Sequence, residues 1–208
     1  MLTIARMVLD AIFPPRPETL LVRTLSPKSV RELSSTARYH ETQYLYDYES
    51  PQIRALIHEN KYYKNNTAAR LLASGLQDWL TALAREQSKP ILLLPIPLSR
   101  IRTRERGYNQ VTEVLKTLSA LPIVRLDETV LTRTAHTVSQ TSLSRTNRLK
   151  NVTGAFSGSA LTLTKYQNHT IVIVDDVVTT GATLLAARAA LAPNLPRDQQ
   201  IILLALAH

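Results

Sequence analysis

The sequence predicts an α/β protein whose mostly parallel sheet is flanked by helices, and three observations carry that prediction. ILLLP at 91–95, TIVIVDD at 170–176 and QIILLALA at 200–207 are continuous apolar runs with the length of strands buried on both faces. Helix-period segments separate them, so the strands are joined by crossovers rather than hairpins. The 170–176 run ends in two carboxylates and re-enters a helix through a Thr/Gly-rich turn, and open sheets of this class bind ligands beyond the carboxyl ends of their strands.

Taken in order, the opening MLTIARMVLDAIF places Leu2, Ala5, Val8, Leu9 and Ile12 at helical spacing, and Pro14 and Pro15 stop the helix. Arg6 and Asp10 inside it, and the lack of a small-residue cleavage site, argue against a signal peptide. No run is long enough to span a bilayer, so membrane insertion is not expected. Pro14, Pro15, Pro17 and Pro27 mark an irregular stretch up to about residue 40. TQYLYDY at 42–48 alternates as a strand does, and a helix runs through Pro51, Ile53, Leu56 and Ile57. Lys61, Tyr62, Tyr63 and Lys64 then read as a basic aromatic turn, a packed tyrosine pair with solvated lysines; base stacking is the alternative. From Thr67 to about Arg85, Ala68, Leu71, Leu72, Leu76, Trp79, Leu80 and Leu83 form the core face of an amphipathic helix. The chain thus divides into an N-terminal helix and irregular segment at 1–42 and a domain at 43–208 that includes a small helical hood at 50–88.

After the strand at 91–95, PLSRIRTRERG reads as a basic loop, followed by a helix from about Tyr108 to Leu118 that Asn109 and Gln110 cap or extend toward a ligand. LPIVRL at 121–126 is a further apolar strand and VLTR at 130–133 another. Residues 134–155 are polar and long for a structureless connection, which suits a lid over a site. Arg145, Arg148 and Lys150 would reach a phosphate when it closes, whereas His136 reads as ordinary surface. GATLLAARAALA is a helix closed by Pro193.

Twenty-five Lys and Arg against sixteen Asp and Glu give a net charge of +9, which favours anionic partners without choosing among them. The absence of cysteine excludes disulfides, a thiol nucleophile and thiolate metal sites, and fits a cytoplasmic location. The five histidines show no i,i+4 zinc spacing.

The turn at 178–183 has a chemical use in each part. Val178, Thr179, Thr180, Gly181, Ala182 and Thr183 sit where a helix begins, so free backbone N–H groups and the positive dipole end can hold a phosphate. Asp175 and Asp176 can accept hydrogen bonds from vicinal hydroxyls or engage a divalent cation. Arg100, Arg102, Arg104 and Arg106 offer guanidinium forks for phosphate oxygens, with Arg102 and Arg106 preferred. The segment is neither a Walker loop nor a dinucleotide fingerprint.

IVIVDDVVTTGAT resembles the signature of the type I phosphoribosyltransferases, in which strand, acidic pair and TTGAT hold the ribose phosphate of phosphoribosyl pyrophosphate. LPIPLSRIRTRERGYNQ is similar to the basic segment of the ComF-like members. LDAIFPP and IRALIHENKYYKNN upstream, and Gln140, Leu143, Arg148, Asn151, Ala155 and Phe156 downstream, follow the same family in order, so the resemblance covers 9–16 and about 43–208. One departure is plain: FPPRPETL stands where those relatives carry the first cysteines of a zinc site, so no zinc is expected.

The resemblance implies a type I phosphoribosyltransferase-like fold, Mg²⁺ as cofactor, and phosphoribosyl pyrophosphate or another ribose-5-phosphate-bearing ligand. It gives the ribose hydroxyls or Mg²⁺ to Asp175 and Asp176, the 5-phosphate to residues 178–183, and the pyrophosphate to Arg102 and Arg106 with Arg148 from the lid. Transfer of phosphoribose to an unknown nitrogenous acceptor is the favoured activity. Non-catalytic binding in DNA uptake or single-stranded DNA processing, beside DNA or DNA-processing proteins, is the alternative, and a homodimer is left open.

Overall fold

The computed structural model describes residues 10, 14–134 and 154–208. Where the prolines predict irregular chain before residue 40, there are two helices and a strand. Pro17 and Pro27 each stand in the first turn of a helix, where the missing N–H costs nothing and the fixed φ is already helical. They open α1 (Pro17–Thr24) and α2 (Pro27–Glu32), the latter fastened by a capping box between Ser26 and Ser29. β1 (Ser34–Tyr39) has no apolar period of its own; it forms by antiparallel pairing with β2 (Thr42–Tyr46) across a tight turn in which His40 takes φ 51°. The helix expected over 1–12 lies outside the described residues except for Asp10, whose carboxylate pairs with Arg23 of α1.

Ser50 caps α3 (Pro51–Tyr63), which ends where Lys64 turns left-handed. Lys61, Tyr62 and Tyr63 are therefore the last turn of a helix and not a turn of their own. Asn65 caps α4 (Asn66–Gln87). β3 (Ile91–Pro95) follows, and then a second correction: the basic segment is a helix, α5 (Arg100–Arg106), because Ser99 caps it, arginine is a good helix former, and Gly107 at φ 72° ends it. Asn109 caps α6 (Gln110–Lys116), and β4 (Val124–Leu126) is next. β5 (Leu131–Arg133) does not join the main sheet; it pairs antiparallel with β6 (Phe156–Gly158). Then come α7 (Ala160–Leu163), β7 (Thr170–Val177), α8 (Ala182–Leu191) and β8 (Ile201–Ala207).

The main sheet runs β1-β2-β8-β7-β3-β4, antiparallel only between β1 and β2. Successive strand residues face opposite sides, and two buried clusters result. Ile91 and Leu93, Val172 and Val174, and Ile202 and Leu204 pack with α3, α4 and α6. Leu92 and Leu94, Ile171 and Ile173, and Leu203 and Ala205 pack with α8 and the β5–β6 pair. The chain leaves β3 toward the first face and β7 toward the second, so the carboxyl ends of these adjacent strands open at a topological switch point.

The Tyr46 hydroxyl, fully buried, donates to the Leu72 carbonyl at 2.9 Å and accepts the Gly75 N–H at 3.1 Å, joining β2 to α4. A Cβ at position 75 would collide with that hydroxyl. Gly75→Ala should therefore lower stability in urea denaturation by about 1–3 kcal/mol, although alanine is intrinsically the better helix residue by about 1 kcal/mol; a neutral result would mean that Tyr46 repacks without cost.

Candidate functional site

The crevice at the switch point is built from the ends of β3 and β7. The β3 side is fixed where Asn109 donates through Nδ2 to the Ile96 carbonyl at 2.9 Å. On the β7 side the strand ends by donation from the Val178 N–H to the Ala207 carbonyl at 2.9 Å, and the chain then turns sharply into α8. Gly181 is the N-cap of α8 at φ 75° and offers no side chain to the helix's first N–H groups. Val178 and Ala182 are buried beneath the turn, while Thr179 is exposed and Thr180 and Thr183 half-buried. The Thr180 hydroxyl accepts from the Ala182 N–H at 3.4 Å. Asp175 and residues 177–184 line a concavity of about 30 Å³. The six turn residues expected to cradle a phosphate thus surround one small hollow at a helix N-terminus.

Asp175 and Asp176 are adjacent on β7, and adjacent strand residues point to opposite faces. Asp176 shares the parity of Val172 and Val174 and turns toward α3 and α6. There its Oδ2 accepts from Lys61 Nζ at 3.1 Å and from Gln110 Nε2 at 2.9 Å, and its Oδ1 accepts from the Val177 N–H at 2.9 Å. Burial alone would raise its pKa, but the Lys61 ammonium, with Gln110 and the Val177 N–H, holds it below the usual carboxylate range. Asp175 shares the parity of Ile171 and Ile173. Burial, and then the neighbouring Asp176 charge, push its carboxyl up to about 7. Its Oδ1 accepts from the Asp176 N–H at 2.9 Å.

Arg102 and Arg106, one helical turn apart on α5, share a face. Arg106 donates to Gln110 Oε1 at 2.9 Å and lies 5.4 Å above the Tyr62 ring, so it is tied to Asp176 through one glutamine. Arg102 is exposed. Arg148 lies outside the described residues.

Three participants were not picked out as site residues from the sequence. Lys61, assigned to a solvated surface, is the ion-pair partner of Asp176. Gln110, read as a cap or ligand contact, is 3% exposed and bridges Asp176 to Arg106. Arg133, at the end of β5, is close enough to feel both Arg102 and Asp175; burial first, and the Arg102 charge second, hold its pKa below the usual arginine value. Its guanidinium packs 5.3 Å over Phe156. Two guanidiniums that repel each other beside a carboxyl whose pKa is raised leave local positive charge, which suits an anion. Among the described residues no group of three or more His, Cys, Asp or Glu is placed to hold a metal ion, and no helix is long and apolar enough to cross a membrane.

Comparison with known proteins gives the same region a context. A model of the phosphoribosyl transferase domain matches residues 78–207. Competence protein F of Haemophilus influenzae is 36% identical over 128 residues, 61% of this chain and 54% of its own. DNA utilization protein YhgH of Escherichia coli K12 is 33% identical over 137 residues, 65% of this chain and 59% of its own. Competence protein ComFC of Bacillus subtilis is 35% identical over 109 residues, 50% of this chain and 39% of its own. The matched part thus spans between 39% and 59% of these relatives.

A carboxyl raised by folding keeps a proton that the unfolded chain releases, so its contribution is full below the unfolded value and is lost as pH rises through the folded one. Asp175 should therefore make the magnesium-free protein progressively less stable as pH rises from about 4 to about 7. His169, whose pKa is lowered by burial and then by Arg125, slopes the opposite way, so the readout is the difference from Asp175→Asn. Urea midpoints should show the fall reduced in that variant; identical slopes would mean that Asp175 titrates as it does in water.

Proposed function

Because the chain belongs to the phosphoribosyl transferase domain family, we propose that it binds phosphoribosyl pyrophosphate with Mg²⁺ and transfers the phosphoribosyl group to a nitrogenous acceptor. The observation that supports this most directly is the junction, across one short turn, of the carboxylate pair with a helix start whose N-cap is a glycine. In this reading the backbone N–H groups of 181–183 and the threonine hydroxyls take the 5-phosphate, with Gly181 allowing close approach. Asp175 and Asp176 take the ribose hydroxyls. Their oxygens are the hard donors that Mg²⁺ accepts together with ligand oxygens, so the residues present fit that ion. Bound with the ligand, it would disperse charge on the departing pyrophosphate. Asp176 is already held by Lys61 and Gln110, so Asp175 is the carboxylate left to face the ligand.

Arg102 and Arg133 would meet the pyrophosphate from α5 and β5, with Arg106 behind them and Arg148 arriving from the polar segment. In the reaction the bond from C1 to the pyrophosphate oxygen breaks with its electron pair leaving on the pyrophosphate. A bond from the acceptor nitrogen to C1 forms through an oxocarbenium-like state, and the nitrogen's proton passes to solvent. The lack of cysteine accords with action in the cytoplasm.

A second reading is binding without turnover in DNA handling. It is favoured by the names of the relatives and by α5, which carries four arginines, buries no residue and sets Arg106 over Tyr62. The two separate by salt: affinity for single-stranded DNA should fall steeply with ionic strength and survive loss of Asp176, whereas phosphoribosyl binding should need both carboxylates and Mg²⁺.

Calorimetric titration of phosphoribosyl pyrophosphate with Mg²⁺ should give heat in the intact protein and none in the Asp175→Asn, Asp176→Asn double variant. Gly181→Val should weaken binding at least ~10-fold, since its φ of 75° strains any β-branched residue. Absence of heat in the intact protein would overturn the ligand assignment.

A further inference from the structure

We propose that a cavity at the amino end of β8, between the β1–β2 turn and α8, binds a small phosphate monoester that also carries hydroxyl groups. The inference is independent of the transferase reading, since this cavity shares no lining residue with the concavity at 177–184.

The cavity measures about 250 Å³, just under the range of drug-sized sites, so its occupant is small. Its donors arrive from four stretches of chain. Arg38 comes from β1, Gln43 from β2, Arg188 from α8, and Gln200 from the residue before β8. Among the described residues the side chains of Arg38, Gln43 and Gln200 make no hydrogen bond or ion pair, so their donors are uncommitted.

The backbone adds to them. The Gln200 carbonyl accepts from the Ile171 N–H on the β7 side, and successive residues of a strand direct their polar backbone groups to opposite sides. Ile201 therefore turns its N–H and C=O the other way. β2 joins β8 only at Leu203, so among the described residues no strand stands opposite Ile201 on that side, and both groups open toward the cavity.

Donors that converge from several directions suit a tetrahedral oxyanion better than a carboxylate, which accepts in a single plane. Two guanidiniums against one lining carboxylate, that of Glu41, leave a positive balance for it. The acceptors specify the rest of the ligand. The Glu41 carboxylate and the Ile201 carbonyl would meet only lone pairs on a bare sulfate, whereas hydroxyls beside a phosphate donate to both. Glu41 also sets the affinity. Its Oε2 accepts from Arg188 Nη1 at 2.7 Å, but the carboxylate is exposed and the guanidinium half-buried, so the pair is one that a doubly charged ligand displaces.

The test titrates glycerol 3-phosphate into the full chain by calorimetry, beside glycerol and sulfate. The monoester should bind, with glycerol and sulfate each at least ~10-fold weaker. Arg38→Ala, at an exposed residue with no partner to lose, should weaken the monoester at least ~10-fold. Glu41→Gln removes the competing charge and keeps an acceptor oxygen, so it should tighten binding by about 3-fold, a gain that no folding defect produces. No binding up to about 5 mM would overturn the site. Equal affinity for sulfate would overturn the ligand class. Binding unmoved by both substitutions would seat the monoester elsewhere, as at the 178–183 turn, and would overturn the assignment of this cavity.

Discussion

A carboxylate that is 8% exposed at the end of a buried strand can stay ionised only if charge and hydrogen bonds replace the water it has lost. At Asp176 that replacement comes from Lys61 of α3, Gln110 of α6 and the backbone of β7, so keeping one charge brings three elements to one point. The same residues then recruit others. The Gln110 carbonyl accepts from Asn60 at 2.9 Å, the Asn60 carbonyl accepts from the Tyr108 hydroxyl at 2.9 Å, and that hydroxyl accepts from the Lys64 N–H at 2.9 Å. The end of α3, the start of α6 and the connection between α5 and α6 are thereby fixed around the crevice, and Arg106 is aimed through Gln110.

A second buried carboxylate, two residues before Lys61, does structural work of the same kind. Glu59 is 1% exposed and accepts from Arg16, Thr19 and Asn65 at 2.9–3.0 Å. Burial would raise its pKa, but the hydrogen bonds from Asn65, Arg16 and Thr19 outweigh burial and hold it below the usual range. Through it α1 is docked on α3. Glu59, Asn60 and Lys61 are consecutive residues on a single helical turn, and they fix the docking of α1, the α6 contact and the acidic pair respectively. Removing either carboxylate's partner would strand a buried charge, which is the costly way to break an ion pair.

How much of this can be read from the chain follows from the range of the interactions. The buried strands, α4 and the turn at 178–183 are declared by residues close in sequence, since apolar runs, a 3.6-residue period and a Thr/Gly helix start need no distant partner. Asn109 as a cap belongs to the same class. The misreadings have two other causes. At Pro17 and Pro27 one residue type serves two opposite ends, breaking a helix in its middle and opening one at its start, and only the capping serine at 26 tips the balance for α2. Lys61, Gln110 and Arg133 were missed as site residues because their partners are far along the chain; a lysine beside two tyrosines carries no local mark that its ammonium will meet a carboxylate at position 176.

The acidic pair shows how a two-letter motif acquires two functions. Neighbours on a strand face opposite ways, so the sheet itself separates Asp175 from Asp176 and gives them different surroundings. Asp176 looks to the face that carries α3 and α6 and is neutralised from within the protein. Asp175 looks toward the face of α8 and the β5–β6 pair, where Arg133 is close enough to feel its charge and a glycine stands at the N-cap of α8. With its pKa pushed to about 7, Asp175 is the member whose charge is least provided for, and a cation or hydroxyl brought by a ligand would supply what the fold withholds. Lys61 bonds Asp176 directly and acts on Asp175 only through its charge, which does not offset burial there. The strand's period of two therefore decides which carboxylate the fold holds in place and which is left the more open to a ligand.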